Sequence, residues 1–170
     1  GHSDRSLDVF LDMLRENAVA LVADVRKLPG SRAHPQFDGP ALARSLAQVQ
    51  IGYEHWPALG GLRGKAKPEA SDLNALWTNK SFRNYADYAL TQPFRAALTQ
   101  LREAGATRRV AIMCAEAVWW RCHRRIISDY LIAGGAQVFH IMAPGRVEPA
   151  RLTPGAVIEP DGAVVYPSNA

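Results

Sequence analysis

Between Cys114 and Arg125 the chain places both of its cysteines, one carboxylate at Glu116, His123, and the arginines Arg121, Arg124 and Arg125. Those side chains make a nucleophile, a proton carrier and anion clamps within one short stretch. Cys114 closes the apolar run "VAIMC". If a helix follows at once, its unpaired N–H groups and macrodipole favour an anion there, which lowers a thiol's pKa. Cys114 is then a nucleophile or redox thiol; the alternative is a small buried apolar residue ending a strand. Glu116 is a base or holds an arginine, or is a solvated loop acid. Arg124 is placed to clamp a phosphate, sulfate or carboxylate, and His123 to move a proton.

Cys122 and His123 are adjacent, so on a helix they point about 100° apart. They are not expected to face one small site. Cys122 falls one turn before Ile126 and reads as core packing, or as a thiol that resolves an oxidised Cys114 should the two approach. Seven residues separate the cysteines, which fits none of the short chelating spacings of zinc sites. No metal and no cofactor is expected. A second loop, "DVRKLPGSRAHPQF", adds Arg26, Ser31 and Arg32, which can line the same pocket from the far side or serve only as solvated loop residues. Trp119 and Trp120 can cover the pocket, stack on a base, or meet a partner subunit.

Placing these groups requires a scaffold. Leu7, Phe10, Leu11 and Leu14 follow helical spacing, so a helix is expected over residues 4–16. "AVALVADVR" reads as a buried strand, and Asp38 as the cap of a helix carrying Leu42, Leu46 and Val49. "IGYEHW" reads as strand two. Residues 57–72 form a long irregular segment. Helices follow on Phe82, Tyr85 and Ala86 and on Phe94, Ala97 and Leu98, with Thr91 as cap and Gly105 as stop. "RRVAIMC" is strand three, a helix spans about Trp120 to Ala133, and "AQVFHIM" is strand four.

This alternation predicts a single α/β domain over 1–170: a mainly parallel sheet of about four strands with helices on both faces, and a C-terminal hairpin near 155–167. Ligands of such sheets sit beyond the carboxyl ends of the strands. Asp24 and Arg26, Glu54 and His55, Cys114 and Glu116, and His140 would then share one rim.

The bulk numbers bound the rest. With 170 residues, 48% of them hydrophobic, the chain is long enough for one core. No apolar run reaches the roughly 20 residues of a membrane span, and no signal-peptide pattern opens it. Gly1-His2-Ser3 reads as a tag remnant. Two cysteines suit a reducing, cytoplasmic setting. A net charge of +4 is compatible with an anionic partner, and 16 of the 20 basic residues are arginine. A GC-rich genome gives the same bias.

The segments "ADVRKLPGSRAHPQFDGPAL", "IGYEHWPALGG", "SFRNYADYALTQPF" and "VAIMCAEAVWWRCHRRII", followed by "GGAQVFHI", resemble the bacterial family called domain of unknown function 488. The likeness covers about residues 21–142. It implies that Arg26, Ser31, Arg32, Tyr53, Cys114, Glu116, Cys122, His123 and Arg124 are motif positions; the tryptophans of "AVWWR" lie outside the motif. A looser likeness is to rhodanese-like domains. The cysteine loop departs from theirs, since Arg121 comes one residue late for a Cys-x5-Arg cradle.

The function expected is that of a cysteine-dependent transferase or hydrolase acting on a small anionic ligand. The alternative is a non-catalytic nucleotide or nucleic-acid binder using the same arginines, with tryptophan stacking.

Overall fold

The computed structural model describes residues 1–65 and 72–168. Three strands, β1 (Leu21–Asp24), β2 (Gly52–His55) and β3 (Val110–Met113), form a parallel sheet in the order β2-β1-β3. Central β1 aligns Asp24 with His55 on one side and with Met113 on the other, so all three strands end at one level. Residues alternate across it: Val22 joins the core under one face and Ala23 the core under the other.

Helices cover both faces. Leu14 and Phe10 of α1 (Leu7–Glu16) and Leu42 and Leu46 of α2 (Gly39–Ala47) pack with Val22 and Met113. On the other face α3 (Lys80–Tyr88), α4 (Gln92–Thr107) and α5 (Arg124–Ala133) bury Tyr85, Phe94, Leu98, Ile126 and Ile127 against Ala23 and Val25. Ser6 caps α1 by accepting from the Val9 N–H, and Asn79 caps α3 by accepting from Ser81 and Phe82.

Several local expectations give way to specific contacts. The Thr91 hydroxyl precedes α4 but donates to the Tyr88 carbonyl, and Gly105 does not stop the helix, which continues to Thr107. Asp38 precedes α2, yet its Oδ1 accepts from the Ser31 N–H instead of capping. The irregular reading of 57–72 holds up to residue 65 apart from one 3-10 turn at Pro57–Leu59; residues 66–71 lie outside the described residues.

"AQVFHIM" is a strand but not the fourth of the parallel sheet. It forms β4 (Phe139–Ala143), paired antiparallel with β5 (Arg146–Pro149). The reason is the Ala143-Pro144-Gly145 reversal: Gly145 takes φ +71°, which folds the chain straight back. The C-terminal hairpin is present as β6 (Val157–Ile158) and β7 (Val164–Val165), turned at Gly162 with φ +86°. Among the described residues no helix is long and apolar enough to cross a membrane.

Candidate active site

The loops that leave the strand ends enclose a cavity of about 710 Å³. Its wall includes Arg26, Ser31, Cys114, Glu116, Cys122 and His123, six of the nine motif residues. The rim geometry drawn from strand polarity therefore brings the two distant loops together. Arg32 does not join them; it is exposed and outside the wall. Glu54 pairs with Arg108 on the β2 edge, and His140 stacks flat on Trp119 at 4.1 Å, so neither reaches the cavity wall.

The helix expected from about Trp120 starts at Arg124, ten residues after Cys114. A 3-10 turn occupies Trp119–Arg121, Cys122 is extended (φ −126°, ψ 151°), and α5 begins at Arg124. That break moves the helix-end position from Cys114 to Cys122. Cys122 Sγ accepts from the Arg124 backbone N–H at 3.5 Å and from Arg124 Nε at 3.3 Å. His123 Nδ1 lies 3.4 Å from the same sulfur, so the two adjacent residues do face one site: both precede the regular helix, and the 100° rule does not apply to them. Cys114 Sγ stands 2.8 Å from Cys122 Sγ. The two cysteines are free, and each is about 95% buried at the cavity floor.

One proton between two sulfurs splits their affinities. The hydrogen bond from Cys114 holds the Cys122 thiol well below its ordinary value, helped by His123 and the Arg124 charge and opposed by burial. The same hydrogen bond, with burial, pushes the Cys114 thiol up. The sequence expectation of a lowered Cys114 is thus reversed, because the helix end and its donors belong to Cys122.

Arg124 is 8% exposed, and among the described residues no carboxylate pairs with it. Its Nη2 donates to the Glu116 carbonyl, and its Nε to Cys122 Sγ. A buried guanidinium needs a counter-charge. The sulfur pair is what the site offers. The Glu116 carboxylate itself accepts from the Val118 N–H and braces its own loop.

Arg26 is held differently. Its Nε and Nη2 donate to Asp24 at 2.9 and 2.7 Å, and the Tyr53 hydroxyl donates to Asp24 Oδ2 at 2.5 Å. The Tyr53 hydroxyl is driven up by its own burial and by that carboxylate. Arg26 Nη1 has only a 3.5 Å contact with His2 Nε2. Ser31 Oγ accepts from the His34 N–H and shapes the loop.

Some contributors carried no clear signal in the sequence. His2 is buried, stacked on Phe37 at 4.5 Å, and its N–H donates to the Cys114 carbonyl. His123 Nε2 donates to the Val25 carbonyl at 2.8 Å, which fixes the ring so that Nδ1 faces the sulfur. The Leu-Gly-Gly motif was a visible signal. A Cβ on Gly60 would meet the Lys27 backbone at 2.7 Å, and one on Gly61 would meet His123 Nδ1 at 3.0 Å, so the motif lets one loop lie against the histidine.

The arrangement defines a class: an α/β protein with a two-cysteine centre at the carboxyl edge of a parallel sheet. The family description "Domain of unknown function DUF488" matches residues 6–131, and the chain belongs to that family. No curated protein and no solved structure matches it. Among the described residues no group of three or more metal-ligating side chains is arranged to hold an ion.

Proposed function

We propose that this protein is a cysteine-dependent enzyme acting on a small anionic ligand, with Cys122 as the attacking thiolate and His123 as the proton carrier. The observation that carries the reading is Arg124: a buried cation that among the described residues has no carboxylate within salt-bridge distance and whose Nε donates to Cys122 Sγ. Cys114 donates its proton to that thiolate, Glu116 positions Arg124 through its carbonyl, and Arg26 and Ser31 form the opposite wall. An anionic ligand is supported by the sparsely engaged Arg26 Nη1 and by the count on the wall, where Arg26, Lys27 and Arg121 outnumber Asp4 and Glu116. A reduced cysteine pair fits a reducing, cytoplasmic compartment.

The nucleotide or nucleic-acid reading has less support. His140 covers one face of Trp119, Arg32 is off the cavity, and Arg26 is committed to Asp24. Among the described residues the exposed rings are Trp120 and Phe139, and neither lines the cavity.

The test is alkylation by iodoacetamide against pH, with the labelled residue read by mass spectrometry. Cys122 is expected to label at pH 6, where an ordinary thiol of pKa about 8.5 is almost wholly protonated. Arg124→Met should move the labelling midpoint upward. Labelling of both thiols with a midpoint at or above about 8.5 would end the thiolate assignment. Failure of inorganic phosphate and sulfate to slow the labelling would remove the anionic ligand from the reading.

A further inference from the structure

We propose that Cys114 and Cys122 form a dithiol redox centre that reduces low-molecular-weight disulfides, Cys122 attacking and Cys114 resolving. The proposal rests on the Cys122 thiolate reading above and names the substrate class of that site. Its geometric basis is the pairing of the sulfurs at 2.8 Å on the floor of a recessed cavity.

In the first step the Cys122 thiolate attacks one sulfur of a disulfide R–S–S–R, forming a Cys122–S–S–R bond and releasing RS⁻. In the second, Cys114 gives up its proton, to the departing thiolate or to His123 Nδ1, and its sulfur attacks Cys122. A Cys114–Cys122 disulfide forms and a second RS⁻ leaves. Two electrons pass from the protein's sulfurs to the substrate, which ends as two thiols. A dithiol reductant restores the pair by the reverse exchange. Because the two sulfurs already touch, resolution needs side-chain rotation and no loop movement.

The recess selects the substrate size. A cavity of about 710 Å³ is that of a small-molecule site, and sulfurs about 5% exposed at its floor are out of reach of a disulfide on a flat protein surface.

Arg124 sets the direction of the equilibrium. Oxidation consumes the thiolate that balances its buried charge, whereas the reduced pair keeps it. The reduced form is therefore the stabilised one, which makes the pair a weak reductant by itself; net reduction of the substrate is driven by the dithiol reductant that restores the pair, and the disulfide is a reactive intermediate rather than a structural bond. Replacing Arg124 removes that preference.

Full-length protein is exposed to oxidised glutathione, quenched with acid and weighed intact. The expected product is wild-type protein lighter by two hydrogens with no adduct, and Cys114→Ser protein carrying one glutathionyl group on Cys122. Arg124→Met should shift the equilibrium with the glutathione couple toward the disulfide by about tenfold or more. Stable glutathione adducts on the wild type, or no reaction at all while Cys122 still alkylates at pH 6, would overturn the redox proposal and leave the thiolate standing. If Cys122 does not alkylate at pH 6, both fall. The wild-type measurement needs no substitution, so misfolding of a variant cannot mask the answer.

Discussion

Two arginines are buried at the edge of this sheet, and each follows its partner by two residues: Arg26 after Asp24, Arg124 after Cys122. The first pair is a carboxylate gripped by two guanidinium nitrogens and the Tyr53 hydroxyl, with the Arg26 backbone carbonyl tied to His55 Nε2. The second uses sulfur where the first uses oxygen. A carboxylate is a far weaker nucleophile than a thiolate and forms no disulfide, so the Asp24 pair is a fixed strut. The Cys122 pair has the same local layout, and under the proposed thiolate reading its counter-charge can react. One layout of buried cation and partner two residues apart thus holds the sheet edge in one place and, in the function proposed above, would serve chemistry in the other.

Breaking the strut should cost the most. Asp24→Asn leaves the Arg26 guanidinium buried without a charge partner, a loss of about 3 to 5 kcal/mol that chemical denaturation would register. Tyr53→Phe removes only one charge-assisted hydrogen bond, about 1.5 to 3 kcal/mol. Neither changes the atoms around Cys122, so its alkylation midpoint should stay in place in whatever protein remains folded. A midpoint that moves with Tyr53→Phe would mean the two pairs are coupled and the contrast between them is false.

The second pair should show itself through pH. Its folded Cys122 thiol lies below the ordinary value of 9.0, so between the two values the unfolded chain holds a proton the folded one has lost. The stability contributed by this pair is full near pH 9 and is lost as pH falls. Cys114, shifted upward, acts in the opposite sense and takes stability away above that value. The advantage of wild type over Cys122→Ser should therefore grow from pH 5 to pH 8, by up to about 1.4 kcal/mol per unit. An advantage that is flat over this range would remove the thiolate; a flat profile in Asp24→Asn against wild type would say nothing of sulfur.

The contrast also explains what could be read from residue order. Of the rim residues that strand polarity names, Arg26, Cys114 and Glu116 do line one cavity, because every strand of a parallel sheet ends on the same side, whereas Glu54, His55 and His140 do not line it. Which cysteine carries the charge was not legible. That depends on where α5 begins, and the two tryptophans and Arg121 fit a helical reading as easily as the 3-10 turn they form. A shift of a few residues in a helix start exchanges the roles of two thiols. Strand four failed for a similar local reason, since the Pro-Gly reversal after Ala143 gives "FHIMA" a nearer partner than the parallel sheet. Arg32 was grouped with its loop neighbours by proximity in the chain, and a loop gives its successive side chains no common direction.

The gentlest perturbation acts on the histidine alone. Gly61 does not adopt a positive φ, so a side chain there is excluded by space and not by backbone strain. An alanine Cβ would sit 3.0 Å from His123 Nδ1 and 3.3 Å from Cε1, and the ring cannot swing freely because Nε2 is bound to the Val25 carbonyl and Tyr85 packs against it at 4.9 Å. Gly61→Ala should cost about 1 kcal/mol in stability. It should also slow Cys122 alkylation at pH 6 severalfold by pushing Nδ1 off the sulfur. Gly64→Ala, three residues on with open space around its Cβ, should do neither. Equal rates in both variants would show that the imidazole does not support the thiolate, leaving Arg124 and Cys114 as its supports.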